Sequence, residues 1–261
     1  MDSDTVVRHF ERMGARCAIS GHPRNGGLRA DVRRRGREEW FELEVGAKAE
    51  LRVVDVRPEM RHLLLLGIDS KGVKNKFLCG HDEREWFVAG VPDDRGVSGV
   101  KTALQALKPP AVRLAEERAE VRAKNRQRRR NEAFVRQGEW FFLPMPGIKV
   151  DPALVLRNEP LQRSGGKPHV VDEAFRTGGK PWYVSWRYPN GVSENRYQQL
   201  LHQRPVLRSD HWTVRRINPN VYVRGRVRHL DHATIHLPWW HLVQMNTEHK
   251  APSMQHVAFI D

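Results

Sequence analysis

Hydrophobic and polar positions follow two rhythms along this chain. Val6, Val7, Phe10 and Met13 recur at helical spacing behind Ser3 and Asp4, either of which can cap the start. Gly14 suits the position just past the last turn, so residues 4–14 are predicted to be a helix. Beyond it the pattern is that of short strands, over 16–20, 28–33, 40–45, 50–56 and 62–69, separated by Gly, Pro, Asn and Asp. A hairpin follows, with 76–79 and 86–91 joined through 80–85. A second helix is expected from Val97 to about Leu107, where Pro109 and Pro110 interrupt it. Residues 111–134 contain no Gly or Pro and are rich in Ala, Glu and Arg, which predicts helix by propensity. Their apolar positions, Leu114 and Val121, are too sparse to form a core-facing stripe.

Strand rhythm returns over 139–143, 154–156, 182–188, 211–216, 221–229, 233–237 and 242–245. Pro189-Asn190-Gly191 reads as a turn, and 193–202 as a short helix opened by a Ser cap. These elements predict an α+β protein: an α+β domain over 1–108, a basic connecting helix over 109–135, and a mainly β domain over 136–261, closed as a barrel or packed as a sandwich.

Composition sharpens this picture. Of 261 residues, 39% are hydrophobic, enough for real cores, and no purely apolar run is longer than the four residues of Leu63–Leu66. That run is far short of the roughly 20 residues a spanning helix needs, so no membrane partner is expected. The acidic start, Met1 to Thr5, has no apolar segment behind it. Two cysteines, Cys17 and Cys79, cannot make a disulfide framework, and they fit a reducing cytoplasm.

The net charge of +14 points to a polyanionic partner. Both halves share the excess, +8 in residues 1–136 and +6 in 137–261. Residues 111–130 carry eight basic side chains (Arg113, Arg118, Arg122, Lys124, Arg126, Arg128, Arg129 and Arg130) against three acidic ones. The acids lie early and the bases late, which complements a helix dipole. Such a helix is either a solvated connector or an arm lying along phosphates. On 221–229 strand parity sets Arg224, Arg226 and Arg228 on the face opposite Val221, Val223 and Val227. A row like this can track a sugar–phosphate backbone, or simply solvate an outer sheet face. Trp182, Val184, Trp186 and Tyr188 share one strand face, which predicts core packing, with a base-stacking platform beside Arg187 as the other reading.

Three blocks form a recognisable succession: Arg136-Gln-Gly-Glu-Trp-Phe-Phe142, Lys167-Pro-His169, and Val221 to His232 followed by Ile235 and Leu237. In these the chain resembles a loosely defined family of uncharacterised bacterial β-rich proteins with an Arg-Gln-Gly-acidic strand and a later His-x-acidic-His element. The resemblance spans roughly the last 125 residues, implies a discrete C-terminal β domain and brings no activity with it. Where the pattern suggests a His-x-His pair, this chain has Lys167-Pro168-His169.

Nine of the thirteen histidines follow residue 136. His229 and His232, beside Asp231 and with His169, are candidate ligands for a divalent metal. Register argues about their placement. A two-residue turn would set Ile235 and Leu237 beside the arginines. A three-residue loop, 230–232, pairs His229 with Ala233 and keeps the apolar rows together. The longer loop is preferred; it leaves His229 at the rim of the core side and His232 on the loop, so a shared metal is allowed but not implied. Two further constellations are weaker. Cys79 beside His81 could form an activated thiolate, yet Asp82 and Glu83 oppose it. Asp231-His232 with Asn246 and His249 suggests an HNH-type nuclease without the finger's helix or Cys brace.

The expectation from sequence is therefore a cytoplasmic, nucleic-acid-associated basic protein, an accessory subunit without catalysis of its own, gripping DNA or RNA through the basic helix and the Arg224–Arg228 face. Its competitors are a metal-dependent β-barrel enzyme, hydrolase or oxygenase, built on the histidines, and a protein-binding subunit with no nucleic-acid role.

Overall fold

The computed structural model describes residues 3–22, 27–93, 96–162 and 167–248. The first helix, α1 (Ser3–Arg12), buries Val6 and Phe10 as its spacing predicts. Three strands follow, β1 (Cys17–His22), β2 (Leu28–Arg35) and β3 (Glu38–Gly46), arranged β1-β3-β2 with β1 parallel to β3. Next comes an antiparallel meander of β4 (Glu50–Arg57), β5 (His62–Ile68), β6 (Lys74–Asp82) and β7 (Glu85–Val91). Strand β5 is apolar on both faces because both are covered. Leu63 and Leu65 pack with Phe10, Phe41 and Phe77 beneath α1, while Leu64 joins Leu78, Val100 and Ala103 of α2 (Val100–Ala106).

The C-terminal half holds a six-stranded antiparallel sheet in the order β10-β11-β15-β16-β9-β8. Its strands are β8 (Val135–Gln137), β9 (Trp140–Pro144), β10 (Leu156–Leu161), β11 (His169–Thr177), β15 (Asn220–Arg228) and β16 (Ile235–Met245). Phe142, Val171, Ala174, Val223, Val227 and Leu237 form its core. A separate three-stranded sheet, β13-β12-β14, is built from β12 (Lys180–Ser185), β13 (Tyr188–Ser193) and β14 (Thr213–Ile217), with α4 (Glu194–Gln203) packed on it.

The α+β expectation is overturned. The chain is mainly β, with 49% in strands and 20% helical, four helices among the described residues, and several sheets of which none closes into a barrel. The arrangement is sandwich-like, with strands predominating in both halves. Two local expectations change with it. The basic helix stops early: α3 (Pro110–Arg118) ends where Glu120 takes φ +49°. There the Glu120 N–H bonds to the Glu117 carbonyl and the Val121 N–H to the Glu116 carbonyl, a Schellman closure with Glu at the place Gly usually fills. Residues 121–134 then run as turns around the buried Lys108 ammonium, which donates to the Arg126 carbonyl at 2.6 Å. The second change concerns the aromatic strand. It breaks after Ser185, so Trp186 is 72% exposed on a turn instead of packing beside Trp182, and residues 189–191 lie within β13.

Candidate metal centre

Three elements bring His169, His229 and His232 together. His169 opens β11, His229 follows β15, and His232 lies on the connection to β16. Val227 pairs with Ile235, the register that keeps the apolar rows in one core, and His229 and His232 lie on the loop beyond it. One potential ligand atom from each ring lies within 4.8 Å of the others. The ring centroids of His169 are 4.2 Å from His229 and 5.6 Å from His232.

His169 is 1% exposed, and neither ring nitrogen has a hydrogen-bond partner among the described residues. A neutral imidazole always carries one N–H and one lone pair, so burying both unpaired costs on the order of 1–3 kcal/mol. Its Nε2 and that of His232 face the same spot, Gly138, where an added Cβ would stand 3.3 and 3.0 Å from them. Gly138 has φ +57°, so the β8–β9 turn and the space before the histidines both require a residue without a side chain. Burial, then the neighbouring His229 and His232, pushes the His169 pKa down to about 3, and burial also lowers that of His229. Both rings are therefore neutral at physiological pH, the form in which imidazole binds metals.

Surrounding carboxylates are placed to orient the rings. Glu83, at the tip of the β6–β7 hairpin, sits 3.5 Å from His232 Nδ1 and accepts the Ala233 N–H at 2.7 Å. His229 Nδ1 accepts the Asp231 N–H at 3.1 Å, with the Asp231 carboxylate 4.0 Å away and itself held by Lys167 at 2.7 Å. With Nδ1 accepting that N–H, the neutral His229 carries its proton on Nε2, so ligation through Nε2 requires the proton on Nδ1 and the Asp231 N–H turned away from it. The rings are now nearly parallel, 22–28° apart. Closing to the roughly 3.3 Å nitrogen spacing of a tetrahedral site therefore needs small side-chain rotations. A cleft of about 300 Å³ reaches His232 and Gly138 from the side of α2, with Glu139, Asn246 and Glu248 on its wall.

The sign of the pH dependence follows from His169. Below about pH 6.5 the unfolded chain takes up a proton that the folded protein refuses until about pH 3. Metal-free protein should therefore lose stability as pH falls through that window, by up to about 1.4 kcal/mol per unit. Denaturant midpoints measured across it check this, and His169→Phe should flatten the profile.

The basic candidates are dispersed. Arg113 is half-buried on α3, whereas Arg118, Arg122, Lys124 and Arg128 are exposed around its end and the following turns. Arg126 bonds to the Val121 carbonyl at 3.2 Å, Arg129 pairs with Asp82 and with Glu83 at 2.7 Å, and Arg130 reaches the His236 carbonyl at 3.4 Å. Arg187 pairs with Asp210 at 3.2 Å. Arg224, Arg226 and Arg228 do share a sheet face, but β11 beside them supplies carboxylates. Arg224 binds Glu173 at 2.6 Å and lies over Trp240; Arg226 and Arg228 both bind Asp172, at 3.0 and 3.1 Å. Hydrogen bonds from Arg226 hold the Asp172 carboxyl below its usual range. Strand β11 was missing from the sequence reading, and with it the neutralising partners.

The remaining constellations do not assemble. Cys79 is buried in the N-terminal core, and burial raises its thiol pKa well above the ordinary value, against a thiolate nucleophile. Asn246 follows a long strand, with its N–H on the Glu139 carbonyl, and His249 lies outside the described residues. No helix among the described residues is long and apolar enough to cross a membrane. Comparison with family models, curated proteins and solved structures finds no match to this chain.

Proposed function

We propose that His169, His229 and His232 bind a divalent transition metal and that the protein is a metal-dependent hydrolase acting at the mouth of the Gly138 cleft. The buried, unpartnered His169, aimed with His232 at a residue without a side chain, carries this reading. Three imidazole nitrogens with a fourth position facing a cleft is the arrangement of catalytic zinc, which would activate water for hydrolysis there. Glu83 would hold the His232 tautomer, and Glu139, on the cleft wall beside Gly138, stands where a proton could be taken up. The cleft combines apolar side chains such as Phe87 and Phe141 with charged groups of both signs, which suits a small, partly apolar substrate. The test is elemental analysis of protein purified without chelators. One Zn, Fe, Mn or Ni per chain supports the centre, and none even after metal addition removes it.

A second reading, association with DNA or RNA as an accessory component, is favoured by the net charge of +14 and by Arg118, Arg122, Lys124 and Arg128, which are exposed and have no ion-pair partner among the described residues. Replacing these four with Ser should lower the salt slope of polyanion binding by about 3–4, near 0.9 per lost phosphate contact. Arg224, Arg226 and Arg228, already paired, should contribute less. Titrations against heparin and nucleic acid over a salt series measure both.

A further inference from the structure

The segment from Gly178 to Ile217 differs in chemistry from the rest of the chain. It holds three of the eight tryptophans and three of the four tyrosines, and seven basic against two acidic side chains. Helix α4 packs on one face of this segment's sheet, β13-β12-β14. Tyr183 of β12 stacks on Tyr197 of α4 at 4.0 Å and 6°, and Tyr197 meets Trp212 edge-on at 4.9 Å. Alternation then sends Lys180, Trp182 and Val184 to the other face.

On that face the register sets Trp182 opposite Arg215 and Val184 opposite Thr213, with Lys180 opposite Ile217. Lys180, Thr213 and Arg215 are exposed, and Trp182, Val184 and Ile217 are only half-buried. A Cβ on Gly191 would fall 2.2 Å from the Trp182 Nε1 and 2.3 Å from its Cδ1, so the indole takes the space a side chain would fill there. Its Nε1–H donates to the Asn190 carbonyl at 2.9 Å, which fixes the ring orientation. Four residues on, Trp186 projects from the β12–β13 turn with the Arg187 guanidinium 4.5 Å from its centroid. One fixed indole and one exposed indole offer stacking surfaces for bases, and Lys180 and Arg215 offer cations for the backbone, while Arg187 is held by Asp210 at 3.2 Å.

We propose that this open sheet face binds single-stranded nucleic acid, with unpaired bases stacking on Trp182 and, past the β12–β13 turn, on Trp186, and with Lys180 and Arg215 contacting phosphates. It rests on the polyanion reading above and adds where the strand lies and that it must be single. A duplex keeps its bases stacked inside and cannot present their faces to these indoles, whereas a single strand can.

The test is fluorescence anisotropy with labelled oligouridine, oligodeoxythymidine and a mixed-sequence duplex on the full chain. Both single strands should bind at least about tenfold more tightly than the duplex at the same salt. Trp186→Ala should weaken them about 5- to 100-fold, the range of one lost base–aromatic stack. Trp186 is exposed, so this variant keeps the fold, which circular dichroism checks; Arg215→Ser is a second fold-neutral probe and should lower the salt slope. Duplex binding equal to that of single strands, or single-strand affinity unmoved by Trp186→Ala and Arg215→Ser but reduced by the Arg118/Arg122/Lys124/Arg128 replacement, overturns this surface and leaves the polyanion reading standing. No binding of any of the three overturns both.

Discussion

His169→Ala is expected to abolish the thermal stabilisation that added zinc gives the wild-type protein. A ligand that binds only the folded state at about 100 times its Kd adds about 2.7 kcal/mol. For a chain of this size that is a rise in Tm of about 5–10 °C. Without His169 only His229 and His232 remain, two nitrogens in place of three, so the remnant should show no shift at the same zinc concentration. The metal-free proteins separate this from simple damage. Alanine removes a ring whose two nitrogens are buried without partners, a gain of about 1–3 kcal/mol, and leaves a cavity of opposite sign and similar size. Their Tm values should therefore lie within a few degrees of each other, and only the zinc increment should differ. Differential scanning fluorimetry with and without zinc reads both quantities. A zinc increment that survives in His169→Ala would place the metal elsewhere.

Much of the centre's scaffold could be read from local pattern, and what could not has a definite cause. The alternation of Val221, Val223 and Val227 against Ile235 and Leu237 gives the β15–β16 register and with it the neighbourhood of His229 and His232, because a one-residue slip would bury arginine. His169 is named from sequence as a ligand beside His229 and His232, but no strand in the pattern carries it there. Strand β11 carries a bulge between Val171 and Glu173, which throws Val171 and Ala174 onto one core face at odd spacing and hides the period of two. The same omission concealed Asp172 and Glu173, and so turned a neutralised sheet face into an apparent row of free guanidiniums. Glu83 illustrates a different limit. Its sequence neighbours belong to the β6–β7 hairpin, and only the tertiary fold carries that tip across to Ala233 and His232.

The end of α3 was misread for a reason that itself makes a prediction. Propensity continues the helix through Glu120, and no Gly or Pro marks a stop. What stops it is the Lys108–Glu116 pair, 4% and 2% exposed, with Nζ to Oε1 at 2.7 Å. Glu116 also accepts from Gln105 at 3.1 Å and Asn131 at 3.4 Å, and Lys108 from its other side ties down the Arg126 carbonyl. A straight helix would carry Arg126 and Asn131 away from these groups and leave a buried ammonium with one partner. Glu116→Gln should therefore cost about 3–5 kcal/mol, because it strands the Lys108 charge without its counter-ion, and lower Tm by about 6–20 °C. Lys108→Met combined with Glu116→Leu should recover part of that loss, since neither charge then needs solvation, but not all of it, because the Arg126 carbonyl and the Asn131 amide lose their partners. Hydrogen exchange should localise the effect to residues 119–134, which wall the cleft through Arg126 and Arg128. If Glu116→Gln melts with the wild type and 119–134 keeps its protection, the pair is not what folds this segment back. The Schellman closure at Glu120 and the burial of Val121 would then have to hold it alone.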